Sequence, residues 1–242
     1  MNEPGQNLKI TEAIILAGGL GTRLKAVSPG LPKSLVNVAG KPFLHYIIQH
    51  LQAQGIKKFH FALGHLHESI KNYLHTEYPE LDFLCSVEKQ PLGTGGAVRL
   101  AGLHCLTENV LVVNGDTLFE FDLEEMAAFH FEKKASCTMV LKPMQDFDRY
   151  GVVEINTEGE VTCFKEKEFT KNGLINAGAY ILSMPAFLKL NLPLSFSFER
   201  DYLQNKTASK KPVAVVQNHY FIDIGIPEDL EKARKDLAAK TQ

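Results

Sequence analysis

Glu12-Ala13-Ile14-Ile15-Leu16-Ala17, followed by Gly18-Gly19-Leu20-Gly21-Thr22-Arg23-Leu24, decides the fold. EAIILA is a short, unbroken apolar run ending in glycines, the pattern of a strand buried on both faces in the middle of a sheet. Downstream, PFLHYIIQHLQAQG (42–55) carries Phe43, Leu44, Ile47, Ile48 and Leu51 on one helical stripe, with Pro42 in the first turn and Gly55 beyond the end. KKFHFAL, HESIKNYLHTEY, DFLCSV, GTGGAVRLAGL and NVLVVN then read strand, helix, strand, helix, strand. Such alternation implies βαβ units with right-handed crossovers. The expected fold class is α/β, an open mixed, mostly parallel sheet flanked by helices.

Beyond Asp122 the rhythm changes. The helix DLEEMAAFHFEKK leads to the short strands SCTMVLK, YGVVEI and EVTCFKE, with turn signals at Thr157 to Gly159, as in a mixed sheet that continues the first one. PEDLEKARKDLAAK (227–240) closes the chain as a helix, with proline and acids at its start and lysine at its end. The first dozen residues read as a frayed terminus. Without repeats, low-complexity runs or a long linker, residues 1–242 read as a single domain with halves of about 11–122 and 123–242.

At 242 residues, 45% hydrophobic and 22% charged, the chain can bury a sizeable core without disulfides or a structural metal. A net charge of -2 supplies no global field toward nucleic acid or an anionic membrane. The longest apolar runs, such as Ala13 to Ala17 and Val110 to Val113, fall far short of the roughly 18–20 residues that cross a bilayer. MNEPGQNLKITE carries neither a basic nor an apolar leader region, so the expectation is a cytoplasmic protein without nucleic-acid or membrane partners. Cys85, Cys105, Cys137 and Cys163 form no CxxC unit and read as small core hydrophobes in a reducing compartment. His65 and His67 lack a third metal ligand nearby.

The chemistry concentrates at predicted strand ends. After the first strand, glycines let backbone N–H groups approach an anion, and Arg23 adds a charged fork for phosphate oxygens. The turn is neither a P-loop, since no Gly-Lys-Ser/Thr closes it, nor a complete dinucleotide fingerprint, since Leu24 stands at the third glycine. A dehydrogenase would also need an acid near position 40 to hold a ribose, and VNVAGKPF has none. Pro32-Lys33 brings a second cation, and two cations beside a glycine turn fit a triphosphate. Asn114-Gly115-Asp116 ends a buried strand, where a carboxylate can hold Mg²⁺ against phosphates or simply cap the next element. Asp223 in FIDIGIPEDL is a second such carboxylate. The glycines of residues 90–97, QPLGTGGA, let a flat base pack on the backbone, or merely allow a tight helix start. Glu166-Lys167, a charged pair at a strand end, would by itself read as solvated surface.

AIILAGGLGTRL followed by LPKSLVNVAGKPFL resembles the signature of the sugar-1-phosphate nucleotidyltransferases. The resemblance covers the chain from Ala13 to about Leu230 and implies the Rossmann-like fold of nucleotide-diphospho-sugar transferases. It also implies the reaction: a nucleoside triphosphate and a sugar 1-phosphate give a nucleotide-sugar and pyrophosphate, with Mg²⁺. Carried onto this chain, it places Leu16, Ala17, Gly18, Gly19, Gly21, Thr22, Arg23 and Lys33 around the nucleotide. Glu88, Gln90, Gly93, Thr94, Asn114, Gly115 and Asp116 complete that set. Gly151, Glu166, Lys167, Asn176, Ala177 and Gly178 fall around the sugar phosphate, and Asp116 with Asp223 around the metal. Arg23, Lys33 and Lys167 would neutralise the developing charge, so neither a covalent nucleophile nor a general base is required.

Within the family, EKQPLGTGGA, NGDTLFEFDL, DFDRYGVVEI, GLINAGAYIL and FSFERDYL resemble the short bacterial D-glycero-α-D-manno-heptose 1-phosphate guanylyltransferases. That implies GTP as the favoured nucleotide and a product used in cell-surface glycans. UTP with N-acetylmuramate 1-phosphate, GTP with mannose 1-phosphate, and a non-catalytic nucleotide-sugar-binding relative are the alternatives; retention of Arg23, Lys33, Asp116, Lys167 and Asp223 argues against the last. Residues 25–30 and Ser34 depart from the wider family beside the triphosphate loop, which bears on base preference. LPLSFSF (192–198) reads equally as an interface of a homodimer and as a core-facing loop.

Overall fold

The computed structural model describes residues 9–19, 30–204 and 211–240. Strand β1 (Glu12–Leu16) leads through a 3-10 turn (Lys33–Leu35) and the short strands β2 (Asn37–Val38) and β3 (Lys41–Pro42) into helix α1 (Phe43–Ala53). β4 (Lys58–Leu63), α2 (His67–Glu77), β5 (Asp82–Val87), α3 (Gly93–Gly102) and β6 (Asn109–Asn114) follow. Next come β7 (Thr117–Phe119), α4 (Leu123–Glu132), β8 (Cys137–Phe147), β9 (Gly151–Ile155), β10 (Val161–Lys167) and β11 (Thr170–Ser183). α5 (Met184–Leu188), a π-helical turn (Phe198–Leu203), β12 (Val213–Val216), β13 (Phe221–Asp223) and α6 (Pro227–Lys240) complete the chain.

β1 lies between β4 and β6 and is parallel to both, with β5 parallel outside β4. Its alternating side chains enter different cores: Ala13 and Ile15 pack with α1, α2, α4 and α6, while Ile14 packs with α3 and α5. Burial on both faces is why the run is apolar without a polar alternation. Burial of Ile14 and of Ile15 contributes about 1.5–3 kcal/mol of transfer free energy each. α1 stops where expected, because Gly55 takes φ +89°, a left-handed helix end open to glycine at little cost.

Past β6 the sheet turns mixed. β11 is antiparallel to β6, β8 and β9, β10 closes one edge, and β12 adds parallel to β8. The mixed sheet flanked by helices is thus the expected one, and the second half does continue the first sheet. Two elements differ from the sequence reading. β11 runs far beyond AYIL because Thr170–Asn176 pairs with Leu141–Phe147, and a bulge at Asn176–Ala179 separates that stretch from the apolar one. The four-residue β12 carries no turn signal of its own and is held by β8. Of the cysteines, Cys137 is buried, Cys85 and Cys105 are half-buried, and Cys163 is exposed on the edge strand β10. No helix among the described residues is long and apolar enough to cross a membrane.

Candidate functional site

The C-terminal ends of β4, β1 and β6 form one edge, and the backbone there is knitted together by Ala17 N donating to Ala62 O (3.0 Å) and Gly115 N to Leu16 O (2.9 Å). A cavity of about 500 Å³ opens on that edge, the size range of small-ligand clefts. Its wall contains Leu16, Ala17, Gly18, Gly19, Lys33, Glu88, Gly93, Thr94, Asn114, Gly115 and Asp116. Gln90 is exposed and outside that wall. Gly21, Thr22 and Arg23 lie outside the described residues.

Two carboxylates distant in sequence meet here. β13 pairs antiparallel with β7 so that Asp223 faces Thr117, and Ile224 N donates to Asp116 O (3.1 Å). Lys33, set by the 3-10 turn after Pro32, places Nζ 2.7 Å from Asp116 Oδ2 and 3.4 Å from Asp223 Oδ1. Burial raises the pKa of Asp223; Lys33 pulls it back and Asp116 adds to the rise. Two carboxylates converging on one cation form a donor set that suits Mg²⁺, which takes one or two carboxylates and leaves its other positions to phosphates and water. The ammonium of Lys33 stands where such positive charge is called for.

The loop of residues 88–97 is held by partners that its own residues do not announce. Glu88 Oε2 accepts from Leu92 N (3.0 Å), and a Cβ on Gly64 would lie 2.7 Å from Glu88 Oε1. Gly95 N donates to Phe196 O and Phe196 N to Leu92 O, both at 2.9 Å, while Thr94 Oγ1 accepts from Phe198 N (2.9 Å). Phe196 and Phe198 are buried, so the 192–198 stretch is core-facing at these two positions, although Leu194 stays 63% exposed. The Phe196 ring covers Gly95 on one side, and the Arg99 guanidinium lies 4.6 Å from its centroid on the same clamp. The glycines of this loop therefore admit a phenylalanine as well as flanking the cavity.

The residues expected around the sugar divide into two groups. Gly178, at φ +76°, abuts Asn114 so closely that a Cβ would lie 2.5 Å from Asn114 Nδ2. Asn176 Oδ1 accepts from Gly178 N (3.1 Å) and its Nδ2 donates to Tyr180 Oη (2.7 Å), which shapes the bulge; Ala177 is buried beside them. Gly151 pairs with Lys167 across β9 and β10, where Glu166 and Lys167 are exposed and stand apart from the cavity wall.

Three residues near the site, Ser34, Arg149 and Tyr150, receive no role from the sequence. Ser34 Oγ is buried beside Lys33 with no hydrogen-bond partner among the described residues. Arg149 and Tyr150 stand near the carboxylate pair: Arg149 is ion-paired with Asp229, and its guanidinium lies 5.6 Å from the centroid of Tyr150. Tyr150 in turn packs edge-on against Phe221, two residues before Asp223. Burial, with Asp223 adding, pushes the Tyr150 phenol up to about 12. The available signal is a cation and an aromatic ring immediately before Gly151.

At the opposite edge of the sheet, Glu12, His60 and Cys105 bring potential ligand atoms within 4.8 Å of one another. The Glu12 carboxylate there accepts from His60 Nε2 (2.8 Å), Leu106 N (3.1 Å) and Thr107 N (2.8 Å). Burial raises its pKa, but these bonds overcome burial and hold it below the ordinary value. Three donors already occupy the oxygens a metal would use, and Cys105 is a protonated thiol raised by burial to about 12. The cluster is a cap for the loop after α3.

A family model described as Nucleotidyl transferase matches residues 12–240. The chain belongs to that family. The nucleotidyltransferase is 45% identical over 226 residues to the D-glycero-alpha-D-manno-heptose 1-phosphate guanylyltransferase of Aneurinibacillus thermoaerophilus, covering 93% of this chain and 98% of that one. It is 42% identical to the protein of the same name from Campylobacter jejuni, covering 90% and 96%. Among solved structures it resembles HddC from Yersinia pseudotuberculosis, with a TM-score of 0.86 and 35% identity over 94% of this chain and 100% of that one. HddC complexed with GMP-PN gives a TM-score of 0.85.

Proposed function

We propose that this nucleotidyltransferase transfers GMP from GTP to D-glycero-α-D-manno-heptose 1-phosphate, giving GDP-heptose and pyrophosphate. The observation that carries the reading is the cavity at the strand ends with Lys33 between Asp116 and Asp223; the near full-length similarity to heptose 1-phosphate guanylyltransferases supplies the substrates. The base enters against Glu88 and the Gly93–Thr94 turn. A carboxylate there is complementary to guanine, whose Watson–Crick edge presents N–H donors, and it opposes the acceptor-rich edges of uracil and cytosine. The triphosphate lies over Gly18, Gly19, Gly21 and Thr22, with Arg23 and Lys33 on its oxygens.

Glu166 accepts hydroxyls of the heptose, Lys167 takes its phosphate, and Gly151, Asn176, Ala177 and Gly178 form the surface beneath. A phosphate oxygen of the sugar forms a bond to the α-phosphorus of GTP. The bond from that phosphorus to the β-bridging oxygen breaks, and pyrophosphate leaves with the electron pair. The attacking oxygen is already an anion, so the protein acts by bringing two anions into line and neutralising them. Asp116 and Asp223 would hold Mg²⁺, which supplies charge neutralisation on the phosphates when bound. The chain acts as one domain, nucleotide half and sugar half together, in the cytoplasm.

The test is pyrophosphate release with Mg²⁺ across GTP, UTP, dTTP, CTP and ATP against heptose, mannose, glucose and N-acetylmuramate 1-phosphates. Release with GTP and the heptose phosphate supports the reading. Preference for GTP with mannose 1-phosphate, or for UTP with N-acetylmuramate 1-phosphate, replaces the substrate, and silence throughout replaces the activity.

A further inference from the structure

We infer that Arg149 is an additional phosphate-binding residue of this site, held on Asp229 until the sugar 1-phosphate arrives and then transferred to that substrate. The inference rests on the reaction proposed above and extends it to a residue that reading does not use. Arg149 occupies the turn between β8 and β9, two residues before Gly151, and Gly151 pairs with Lys167. On its other side, Arg149 lies over Tyr150, Tyr150 packs on Phe221, and Phe221 starts the strand that ends at Asp223. Arg149 is thus joined along the chain to the β9–β10 hairpin that carries Lys167, and through Tyr150 and Phe221 to the strand that carries Asp223. Asp223 lies near enough to add to the charge preference of Arg149, alongside the stronger bond from Asp229.

Its present partner is suited to exchange. Asp229 belongs to the first turn of α6, where the helix dipole already stabilises a carboxylate without any cation. The Arg149 side chain keeps 39% of its surface in water and that of Asp229 19%, so the pair is partly solvated and screened, closer to the weakly stabilising surface kind than to a sealed core strut. A phosphate dianion offers the same guanidinium more charge and a bidentate match. The sugar phosphate and GTP must approach as like charges, and a cation that moves to them only when they arrive reduces that repulsion without leaving an unpaired charge beforehand.

The test is a double-mutant cycle on Arg149→Ala and Asp229→Asn, read as KM for heptose 1-phosphate and KM for GTP separately. Calorimetric titration of the sugar phosphate into enzyme saturated with a non-hydrolysable GTP analogue and Mg²⁺ is the second readout. Arg149→Ala should raise the sugar-phosphate KM on the order of tenfold or more, as for a lost hydrogen bond to a charged group, with Arg149→Lys intermediate. Asp229→Asn should lower that KM, and should lose this benefit in the Arg149→Ala background. If the pair is only a strut, both single variants weaken sugar-phosphate binding alike and lower the melting temperature together, which overturns the inference. A gain from Asp229→Asn that persists without Arg149 is a general field effect and overturns it too. Wild-type enzyme that releases no pyrophosphate with any pair would instead sink the proposed reaction, while calorimetric binding of the sugar phosphate would still report on Arg149.

Discussion

Gly93→Ala should damage stability and nucleotide binding together. Gly93 opens α3 at φ +69°, and a Cβ there would lie 2.5 Å from Phe196 O and 3.0 Å from Phe196 C. The left-handed backbone costs an L-residue about 1–2 kcal/mol. A carbon–oxygen contact settles near 3.3 Å, so the Phe196 carbonyl has to retreat by roughly 0.8 Å. It is not free to do so, because that carbonyl accepts from Gly95 N and the residue's own N–H donates to Leu92 O. Yielding forfeits those bonds at about 1 kcal/mol each, and not yielding leaves overpacking of about 1–3 kcal/mol. The expected loss is about 3 kcal/mol, a fall in Tm of about 6–12 °C in a chain this long. Gly55→Ala is the control, since Gly55 has φ +89° and nothing within 4 Å of the methyl carbon an alanine would add; it should show the backbone component alone. Urea and thermal melts give stability, and initial rates with varied GTP give KM. If Gly93→Ala loses no more than Gly55→Ala and keeps its GTP KM, then the Phe196 clamp does not shape the base loop.

Other expectations address the carboxylates, the hairpin and pH. Asp116→Asn and Asp223→Asn should each reduce kcat by orders of magnitude and raise the Mg²⁺ concentration needed; near-normal turnover in either removes that residue from the metal site. Glu166→Ala should raise the KM for the sugar phosphate and leave that for GTP, and the reverse pattern would move Glu166 to the nucleotide. His130, 2% exposed, bonds Thr138 Oγ1 (2.8 Å) and Asn109 Oδ1 (3.1 Å), and burial pushes its pKa down to about 4. A depressed histidine leaves the unfolded chain binding more protons between about pH 6.5 and 4, so stability falls as pH drops through that window. The contribution between pH 7 and pH 5 is about 2 kcal/mol. Urea melts of His130→Gln should show a correspondingly flatter pH dependence, and an unchanged slope would assign the titration to another group.

Much of this protein is written locally. Helix α6 occupies Pro227–Lys240, the span its proline, acids and lysine mark, and β1, β5 and β6 begin and end close to their apolar runs. These signals work because strand burial, helix capping and glycine turns depend on neighbours a few residues away. The same locality makes Lys33, Asp116 and Asp223 recognisable one by one as groups able to meet a phosphate or a metal.

Their arrangement is not local. Lys33 meets Asp116 and Asp223 across separations of 83 and 190 residues, and only the β13–β7 pairing brings the two carboxylates to one point. Arg149 reaches Asp229 from 80 residues away, and Phe196 clamps a loop about a hundred residues earlier in the chain, while Thr94 and Phe198 are 104 apart. No periodicity encodes such contacts, since they arise when packed layers close and each buried polar group must find a partner. The order of residues thus dictates the α/β sheet and the kind of chemistry at the strand ends. Which charges share a site is settled by packing in three dimensions, because Coulombic and steric interactions act through space over a few ångströms regardless of position along the chain.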